Sequence, residues 1–389
     1  MNLTYTLKAL YRKVRNRYAS DFRITLQKKK EILDSFPEPK DDFERSYFQY
    51  KSLMKAYGRL IEILLDIVSI PLIPYFLIKL RYQSKKLIYK NIADYDAVFL
   101  SSGIIIDTIP DSIKYSYPRI IVENFIDCMS LSNSDICYLK KIFYRYPFDY
   151  HLLLKAIMKI SIYSAQMNKY NPRAIISYTD GSFTSSIATM YCEHHNVKHI
   201  NIMHGERYFS LFYTFFRFSK YYVWDEKYAD LFKELRADSS QFIIEQPKTL
   251  KLNLNADIVP KYYITYYLAD EDVNTLHLIK DCFEKLKAQG KICAIRLHPR
   301  YGNYRQINHI FKDHLIELPT DVSIKESFEN TQYISSLRST VIFEGYSNGK
   351  EVIIDDITQP EKYRKLIELR YVMLNKPHHL LSEILEESK

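Results

Sequence analysis

The stretch that decides the fold is residues 171–205, NPRAIISYTDGSFTSSIATMYCEHHNVKHINIMHG. Its apolar runs, Ala174–Tyr178 and Val197–Met203, predict two buried strands, because short apolar runs bounded by turn residues are typical of strands covered on both faces. Between them, Phe183–His194 predicts a helix. Since a strand, a helix and a second strand in this order form a parallel pair, the stretch predicts an α/β fold.

The same alternation continues on both sides of this stretch. Before and after it we predict strands at Ala97–Leu100 and Tyr221–Trp224 and helices at Leu152–Met167 and Glu226–Leu235. A second series follows residues 247–260, with strands at Tyr262–Tyr267, Ile292–Leu297, Tyr333–Ser335 and Glu351–Ile354 and helices at Asp272–Gln289 and Thr340–Tyr346. The length allows two cores. We therefore predict two Rossmann-like α/β domains facing a cleft, at residues 93–250 and 251–389.

Composition narrows the functional class. The chain has 389 residues with only 8 glycines, and 47% of it is hydrophobic, which disfavours disordered and fibrous proteins. Its formal net charge is +9, but no zinc-finger spacing, RNA-recognition motif or helix-turn-helix accompanies that charge, so nucleic acid is not an expected partner. Five cysteines without CxxC spacing indicate reduced thiols, and no signal peptide is recognisable, so we expect a cytoplasmic protein.

Residues 1–92 differ from the rest, since they are basic and predicted to be helical. Residues 1–58 predict two partly exposed helices. The most apolar run, Leu60–Leu80, then contains two acids and two prolines, which disfavour a membrane-spanning helix: Glu62, Asp66, Pro71 and Pro74. Arg81, Lys85 and Lys86 follow it. Residues 60–86 therefore fit a helix lying on the inner membrane surface. A buried helix packed on the first domain is the alternative, because periodicity does not separate the two.

Three short motifs follow predicted strands, at the edge where open α/β sheets bind ligands. The first is Thr179-Asp180-Gly181. A carboxylate at Asp180 can deprotonate an incoming hydroxyl group as a general base. Gly181 allows a tight turn and Ser182 is a plausible helix N-cap. The alternative is that Asp180 itself only caps the following helix.

The second motif is His298-Pro299, which is flanked by Arg296 and Arg300. An imidazole at this place can bind or protonate a leaving phosphate, proline restricts the turn, and guanidinium groups match phosphate geometry. The alternative is a histidine that binds a backbone carbonyl at the strand end.

The third motif is Arg338-Ser339-Thr340, which opens a predicted helix. Hydroxyl groups and free N–H groups at a helix N-terminus form an anion site, although Ser339 or Thr340 would equally serve as a plain N-cap. Glu344, one turn later, either holds a ribose hydroxyl or faces solvent.

A further turn, His204-Gly205-Glu206, ends the strand at Val197–Met203. His204 and Gly205 can contact the donor or the acceptor, and Glu206 is the rival general base. No Asp-x-Asp pair follows a strand, so we expect no metal ion. Asp355 and Asp356 are adjacent and are expected to be exposed. The absence of Gly-x-Gly-x-x-Gly and Walker loops disfavours dinucleotide enzymes and P-loop ATPases.

Five stretches together resemble the bacterial GT-B glycosyltransferases of surface-polysaccharide synthesis, and most of all the bacterial sialyltransferases. They read IISYTDGS at 175–182, IMHGE at 202–206, YVWDE at 222–226, RLHPR at 296–300 and STVIFEG at 339–345. The resemblance covers residues 170–356. Thr179 departs from it, since that family usually has a second acid there. His204-Gly205 is also similar to polyol-phosphate polymerases of the teichoic-acid type.

This resemblance implies an inverting, metal-independent glycosyltransferase without a cofactor. It places the base at Asp180, the donor phosphate at His298-Pro299 and Ser339-Thr340, an acceptor domain at 93–250 and a donor domain at 251–389. CMP-sialic acid is the first donor expected, with a UDP-sugar or a polyol-phosphate transfer as alternatives. The acceptor is expected to be a glycan, which a lipid carrier can hold at the inner face of the cell membrane. The competing hypothesis is a non-catalytic membrane-associated adaptor in envelope assembly.

Overall fold

The computed structural model describes residues 21–86, 95–101, 103, 106–124, 129–299 and 303–386. The chain forms two compact units. Unit 1 consists of Met1–His204 and Phe209–Pro247, and unit 2 consists of Gly205–Tyr208 and Lys248–Lys389. In the part described, each unit contains a six-stranded sheet in which every neighbouring pair is parallel. The prediction of two Rossmann-like α/β domains is therefore confirmed.

The sheet of unit 1 has the order β2-β1-β3-β4-β5-β6. Its strands are β1 (Ala97–Leu100), β2 (Ile120–Glu123), β3 (Ala174–Ser177), β4 (Lys198–Ile202), β5 (Lys220–Val223) and β6 (Phe242–Ile244). Strands β1 and β3 are entirely buried, as apolar runs covered by helices on both faces should be. Because the chain moves to one side after β1 and to the other from β3 onwards, the strand order reverses between these two neighbours. Such a switch point is where open α/β sheets bind ligands.

The helices of unit 1 precede β1 or lie in the connections between its strands. They are α1 (Leu26–Asp34), α2 (Asp42–Tyr57), α3 (Arg59–Lys86), α4 (Asp111–Ser116), α5 (Asn133–Arg145), α6 (Tyr150–Tyr170), α7 (Ser185–His194) and α8 (Glu226–Glu234). Helix α7 begins at Ser185 after Thr184, two residues later than predicted. Neither Asp180 nor Ser182 caps it, because both belong to the preceding turn, which a hydrogen bond from the Ser182 N–H to the Thr179 carbonyl closes at 3.0 Å.

Helices α1 and α2 bury one side in unit 1, while Gln27, Lys28 and Glu31 on α1 are exposed, in line with the predicted partly exposed helices. Tyr50, Gln49 and Ser46 on α2 have no exposed surface. The buried Lys29 on α1 donates a hydrogen bond to the Phe209 carbonyl at 2.9 Å. Since a lysine at an amphipathic face usually reaches solvent, sequence periodicity did not reveal this burial.

Helix α3 is continuous from Arg59 to Lys86 and includes both Pro71 and Pro74. Among the described residues it is the one helix that is long and apolar enough to cross a membrane. Only 6% of its most apolar 18-residue window is buried, so the alternative of a core helix is wrong for most of its length. One side of α3 does pack on the rest of unit 1. On this side Ser69 Oγ lies 3.2 Å from His151 Nδ1, and Leu80 is buried.

The sheet of unit 2 has the order β12-β11-β10-β7-β8-β9 and reverses between β7 and β10. Its strands are β7 (Tyr262–Tyr267), β8 (Cys293–Arg296), β9 (Leu315–Glu317), β10 (Thr331–Ser336), β11 (Glu351–Ile354) and β12 (His379–Leu380). Its helices are α9 (Val273–Ala288), α10 (Tyr304–Ile310), α11 (Ile324–Asn330), α12 (Thr340–Ser347), α13 (Pro360–Glu368) and α14 (Leu381–Glu386). Helix α9 buries four apolar side chains in the core of unit 2: Leu276, Ile279, Phe283 and Leu286.

Candidate functional site

A pocket of about 270 Å³ lies at the carboxyl edge of the sheet in unit 2. Its lining comes from the ends of β7 and β8 and the residues after them, from the first residue of α11, and from the N-cap and first turns of α12. The lining residues are Tyr267, Leu268, Arg296, Leu297, His298, Pro299, Ile324, Ser339, Val341 and Glu344. This is the point where the strand order of unit 2 reverses, so the pocket lies where the fold favours a ligand. Five of the residues predicted for the donor site therefore line one pocket.

His298 and Pro299 lie just after β8, because the strand ends at Arg296 and the Leu297 N–H still bonds to the Glu317 carbonyl at 3.2 Å. His298 is half-buried and Pro299 is exposed. An imidazole in this position can donate a hydrogen bond to an anion in the pocket. Arg300, the other predicted flanking arginine, lies outside the described residues.

Arg296 is 6% exposed and its guanidinium group is engaged inside unit 2. Nη1 lies 3.2 Å from Glu317 Oε2, and Nη2 donates to the Val322 carbonyl at 2.8 Å. Its side chain thus joins β8 to β9 and to the segment before α11. This pairing was not visible in the sequence, because Glu317 lies on a strand that the sequence did not predict.

Ser339 is the N-cap of α12, and its hydroxyl accepts a hydrogen bond from the Val341 N–H at 3.4 Å. It also lines the pocket, so the capping role and a ligand role occur in the same side chain. Its hydroxyl proton can still be donated to an anion, and the helix N-terminus favours negative charge. Thr340 follows as the first residue of α12, and Arg338 is exposed with its guanidinium carbon 5.6 Å from the Tyr208 ring centre.

Glu344 lies one turn into α12, in the wall of the pocket. Burial raises the pKa of its carboxyl group to about 7, and the nearby positive charge of Arg296 opposes this shift only in part. The side chain is half-buried in the wall of the pocket. A carboxyl group that is partly protonated at neutral pH can both donate and accept hydrogen bonds, as ribose hydroxyl groups require.

The turn after β4 is divided between the two units. Gly205–Tyr208 belongs to unit 2, where a Cβ placed on Gly205 would lie 3.7 Å from Thr340 Oγ1. The Arg207 carbonyl accepts a hydrogen bond from the Val372 N–H at 3.3 Å. Glu206 therefore lies in a segment that packs beside the start of α12. His204 belongs to unit 1, where it is exposed and its ring centre lies 4.8 Å from that of Tyr178.

Asp180 is only 2% exposed and lies in unit 1, just past β3. Its Oδ2 accepts a hydrogen bond from the Tyr221 hydroxyl at 2.6 Å, which joins this turn to β5. Gly181 and Ser182 follow in the same turn, and a Cβ on Gly181 would approach Tyr213 Cε1 to 3.4 Å. The carboxylate thus has a structural partner that the sequence did not reveal.

Several buried groups behind the Asp180 turn were also missed. His199 is fully buried, and its two ring nitrogens lie 2.8 Å from the Tyr163 hydroxyl and 2.7 Å from the Thr189 hydroxyl. The Asn201 side-chain oxygen Oδ1 accepts a hydrogen bond from the Thr179 N–H at 2.8 Å. These side chains hold the end of β3, and only the pairing of β3 with β4 could have pointed to them.

In unit 2, Asp355 is not exposed as predicted. It is fully buried, and the Tyr266 hydroxyl donates a hydrogen bond to its Oδ2 at 2.7 Å. The carboxylate also accepts the N–H groups of Ile357 and Thr358 at 3.1 and 2.9 Å, so it closes the turn after β11. Within the described ranges, no group of three or more His, Cys, Asp or Glu side chains could hold a metal ion.

No family model and no curated protein matches the chain. Among solved structures, the wall teichoic acid polymerase TagF is similar at 13% identity over 85% of this chain and 88% of that one, with a TM-score of 0.45. The UDP-GlcNAc 2-epimerase of Methanocaldococcus jannaschii, solved with UDP-GlcNAc and UDP, covers 72% of this chain and 93% of its own at 14% identity and a TM-score of 0.43. Anabaena HepE in complex with UDP is similar over 75% of this chain and 89% of its own, at 11% identity and also with a TM-score of 0.43.

Proposed function

We propose that the protein is an inverting, metal-independent glycosyltransferase that binds a nucleotide-sugar donor in unit 2. One observation carries the proposal. His298, Ser339 and Glu344, which come from two distant segments, line a single pocket at the switch point of the sheet. An imidazole, a hydroxyl at a helix N-terminus and a half-buried carboxyl group are the groups that a nucleotide's phosphate and ribose require.

The roles follow from the chemistry of these groups. Ser339 and the N-terminus of α12 hold the phosphate, because both offer donors to an anion. His298 donates a hydrogen bond to the departing phosphate, which stabilises the charge that develops on it. Glu344 binds the ribose hydroxyl groups. The acceptor glycan is deprotonated by a carboxylate as its hydroxyl attacks the sugar.

The base is Asp180 or Glu206. Asp180 is almost fully buried and accepts the Tyr221 hydroxyl on Oδ2, whereas Glu206 lies in the segment beside Thr340. Asp180→Asn and Glu206→Gln separate them. Replacement of the true base lowers turnover by at least about 10²-fold, whereas replacement of the other carboxylate changes it by less than about fivefold. Wild-type turnover in both folded variants would refute both assignments.

The donor proposed is CMP-sialic acid, on the resemblance of the Asp180, His298 and Ser339 motifs to those of bacterial sialyltransferases. A UDP-sugar is the alternative, since the pocket chemistry suits either nucleotide, and a polyol-phosphate donor would bring CDP. Titration calorimetry with CMP, UDP and CDP identifies the nucleotide of the donor. Hydrolysis of the matching nucleotide sugars then identifies the sugar.

His298→Ala and Ser339→Ala should each weaken binding of the preferred nucleotide by about 10- to 100-fold, the effect of losing a hydrogen bond to a charged group. The control is His309→Ala, because His309 is an exposed histidine in the same unit. If none of the three nucleotides binds at millimolar concentration, the transferase is excluded and the non-catalytic adaptor is favoured.

We also propose that α3 attaches the protein to the inner membrane surface. Large apolar side chains on it are exposed by 45% or more: Leu60, Ile63, Leu64, Ile67, Val68, Ile70, Tyr75, Ile78 and Tyr82. One side of the helix is held on α6, where Asp66 accepts the His151 N–H at 2.7 Å. A helix held in this way can lie in the interface with its apolar side among the lipids.

Vesicle flotation tests this attachment. The triple variant Leu64→Ser/Ile67→Ser/Ile78→Ser should lose binding to vesicles that contain anionic lipid, because it removes apolar area from the exposed side only. Deleting residues 1–90 is unsuitable, since α1 and α2 belong to the core of unit 1. Full retention of the folded triple variant on vesicles would contradict the attachment.

A further inference from the structure

Helix α6 presents three basic side chains in a row at four-residue spacing: His151, Lys155 and Lys159. Residues four apart lie on the same face of a helix. Both lysines are half-buried, so they reach solvent without extending freely into it. His151 contacts α3 through Ser69 and Asp66, whereas the two lysines have no part in that contact or in the pocket of unit 2.

This row of side chains ends near the carboxyl edge of the sheet in unit 1, the edge where open α/β sheets bind ligands. Lys159 Nζ lies 3.4 Å from the Thr179 hydroxyl, two residues beyond the end of β3. Because α6 runs into β3 through a tight connection, it is antiparallel to that strand. Lys155 therefore lies about 6 Å further beyond the carboxyl edge of the sheet. The strand order of unit 1 reverses between β1 and β3, where a ligand is favoured.

The two lysines are not paired with acids. Within the described part of the chain, neither ammonium group forms an ion pair with a carboxylate. Burial lowers the pKa of Lys155 and lowers that of Lys159 to about 8, and the charge of Lys155 adds to the second shift. The neighbouring Cys192 does not compensate, since burial raises the pKa of its thiol and keeps it neutral. His151 is also neutral at pH 7, because burial lowers its pKa to about 4.

Two half-buried cations one turn apart weaken a fold unless an anion joins them. Groups held in this costly state occur preferentially at binding sites. We propose that Lys155, Lys159 and the Thr179 hydroxyl bind the phosphate or diphosphate group of the acceptor substrate. The assignment of this anion to an acceptor substrate rests on the proposed transferase function, but binding of the anion can be tested without that function.

The test is titration of the whole protein with inorganic phosphate and with pyrophosphate, while a saturating nucleotide occupies the pocket of unit 2. The variant is Lys155→Met/Lys159→Met, which keeps the side-chain length and removes the charges. It should bind pyrophosphate at least tenfold more weakly than wild type. The control Lys140→Met/Lys141→Met removes two exposed lysines from α5 and should bind like wild type. The tighter of the two anions distinguishes a single phosphate from a diphosphate.

Stability separates this site from a structural role. Without anions, the Lys155→Met/Lys159→Met variant should be at least as stable as wild type, because mutual repulsion and desolvation are relieved. A clearly less stable or unfolded variant would show that the ammonium groups support the fold and would overturn the proposal. Equal pyrophosphate affinity in wild type and variant would overturn it as well.

Failure of the transferase assignment gives a different pattern. In that case none of CMP, UDP and CDP would bind, while pyrophosphate binding would still depend on Lys155 and Lys159. If the anion site alone is wrong, nucleotide binding persists in wild type and variant, and pyrophosphate affinity does not respond to the lysines. The two readouts can therefore fail independently.

Discussion

At the residue scale, the bond between Tyr221 and Asp180 decides how the Asp180 turn is held. The carboxylate is almost fully buried and accepts the Tyr221 hydroxyl at 2.6 Å. Removing a hydrogen-bond donor to a buried charged group is costly. The turn that carries the candidate base is therefore also a structural element.

Tyr221→Phe should lower the free energy of unfolding by about 1–3 kcal/mol, because it removes this donor and leaves the ring in place. The matched control is Tyr222→Phe on the same strand, because the Tyr222 oxygen is only in a long contact with the Ser112 hydroxyl, at 3.4 Å. The free energy of unfolding should fall much less in Tyr222→Phe than in Tyr221→Phe. Urea unfolding measures both. Equal decreases in the free energy of unfolding of the two variants would show that the hydrogen bond to Asp180 does not stabilise the fold more than the Tyr222 contact does.

Glu344 predicts a pH dependence of stability. Its pKa is 4.5 ordinarily and about 7 in the folded protein, so the folded state holds more protons than the unfolded state between these values. The free energy of unfolding therefore falls as pH rises from about 4.5 to 7. Glu344→Gln should have no advantage below pH 4 and an advantage of up to about 3 kcal/mol above pH 7.

Urea unfolding at pH 5, 6, 7 and 8 checks this difference. The control is Glu361→Gln, since the Glu361 side chain is 94% exposed and its replacement should shift stability equally at every pH. A constant difference between Glu344→Gln and wild type across this range would mean that the carboxyl group titrates normally.

At the element scale, an ion-pair cluster joins α2 to α7. Arg217 donates to both carboxylate oxygens of Asp42 at 2.7 and 2.6 Å and also pairs with Glu193. Asp42 lies in the first turn of α2 and is 6% exposed. This contact makes the N-terminal helices part of unit 1.

Arg217→Met should lower the free energy of unfolding by about 3 kcal/mol, because it leaves the Asp42 carboxylate buried without a partner. Arg145→Met is the comparison, since Arg145 binds Asp41 and Glu44 at the same helix end, where Asp41 is 35% exposed and Asp42 only 6%. Its loss should stay below about 1 kcal/mol. Adding Asp42→Asn to Arg217→Met should restore part of the stability, and a further loss would contradict the ion-pair explanation.

The elements also show the limits of sequence patterns. The strands at β3, β4, β7 and β8 could be predicted, because buried apolar runs between turn residues are distinctive. The continuity of α3 through Pro71 and Pro74 could not, since proline ordinarily ends or bends a helix. In the candidate site, His298 and Ser339 could be predicted as strand-end and helix-start residues, whereas the pairing of Arg296 with Glu317 depends on contacts far apart in sequence.

At the scale of the whole molecule, 55 basic and 46 acidic residues give a formal net charge of +9. A positive protein with an exposed apolar helix should bind anionic vesicles by two forces, of which only the electrostatic one is screened by salt. We expect binding to vesicles with anionic lipid to fall severalfold between 50 and 500 mM salt, without reaching zero. Flotation at both salt concentrations measures this, and neutral vesicles serve as the control. Binding that is insensitive to salt and to lipid charge would contradict the electrostatic part.

The sequence by itself determined the two α/β units, because the alternation of apolar runs and amphipathic helices is a local property of the chain. It also placed His298 and Asp180 at strand ends and Ser339 at a helix start, where the fold binds ligands. Only the tertiary structure decided which of these side chains share a pocket, that Asp180 is bound to Tyr221, and that Lys155 and Lys159 stand without acids. The physical reason is that burial and pairing depend on neighbours from distant segments, and these set the charge and the hydrogen bonds of a side chain.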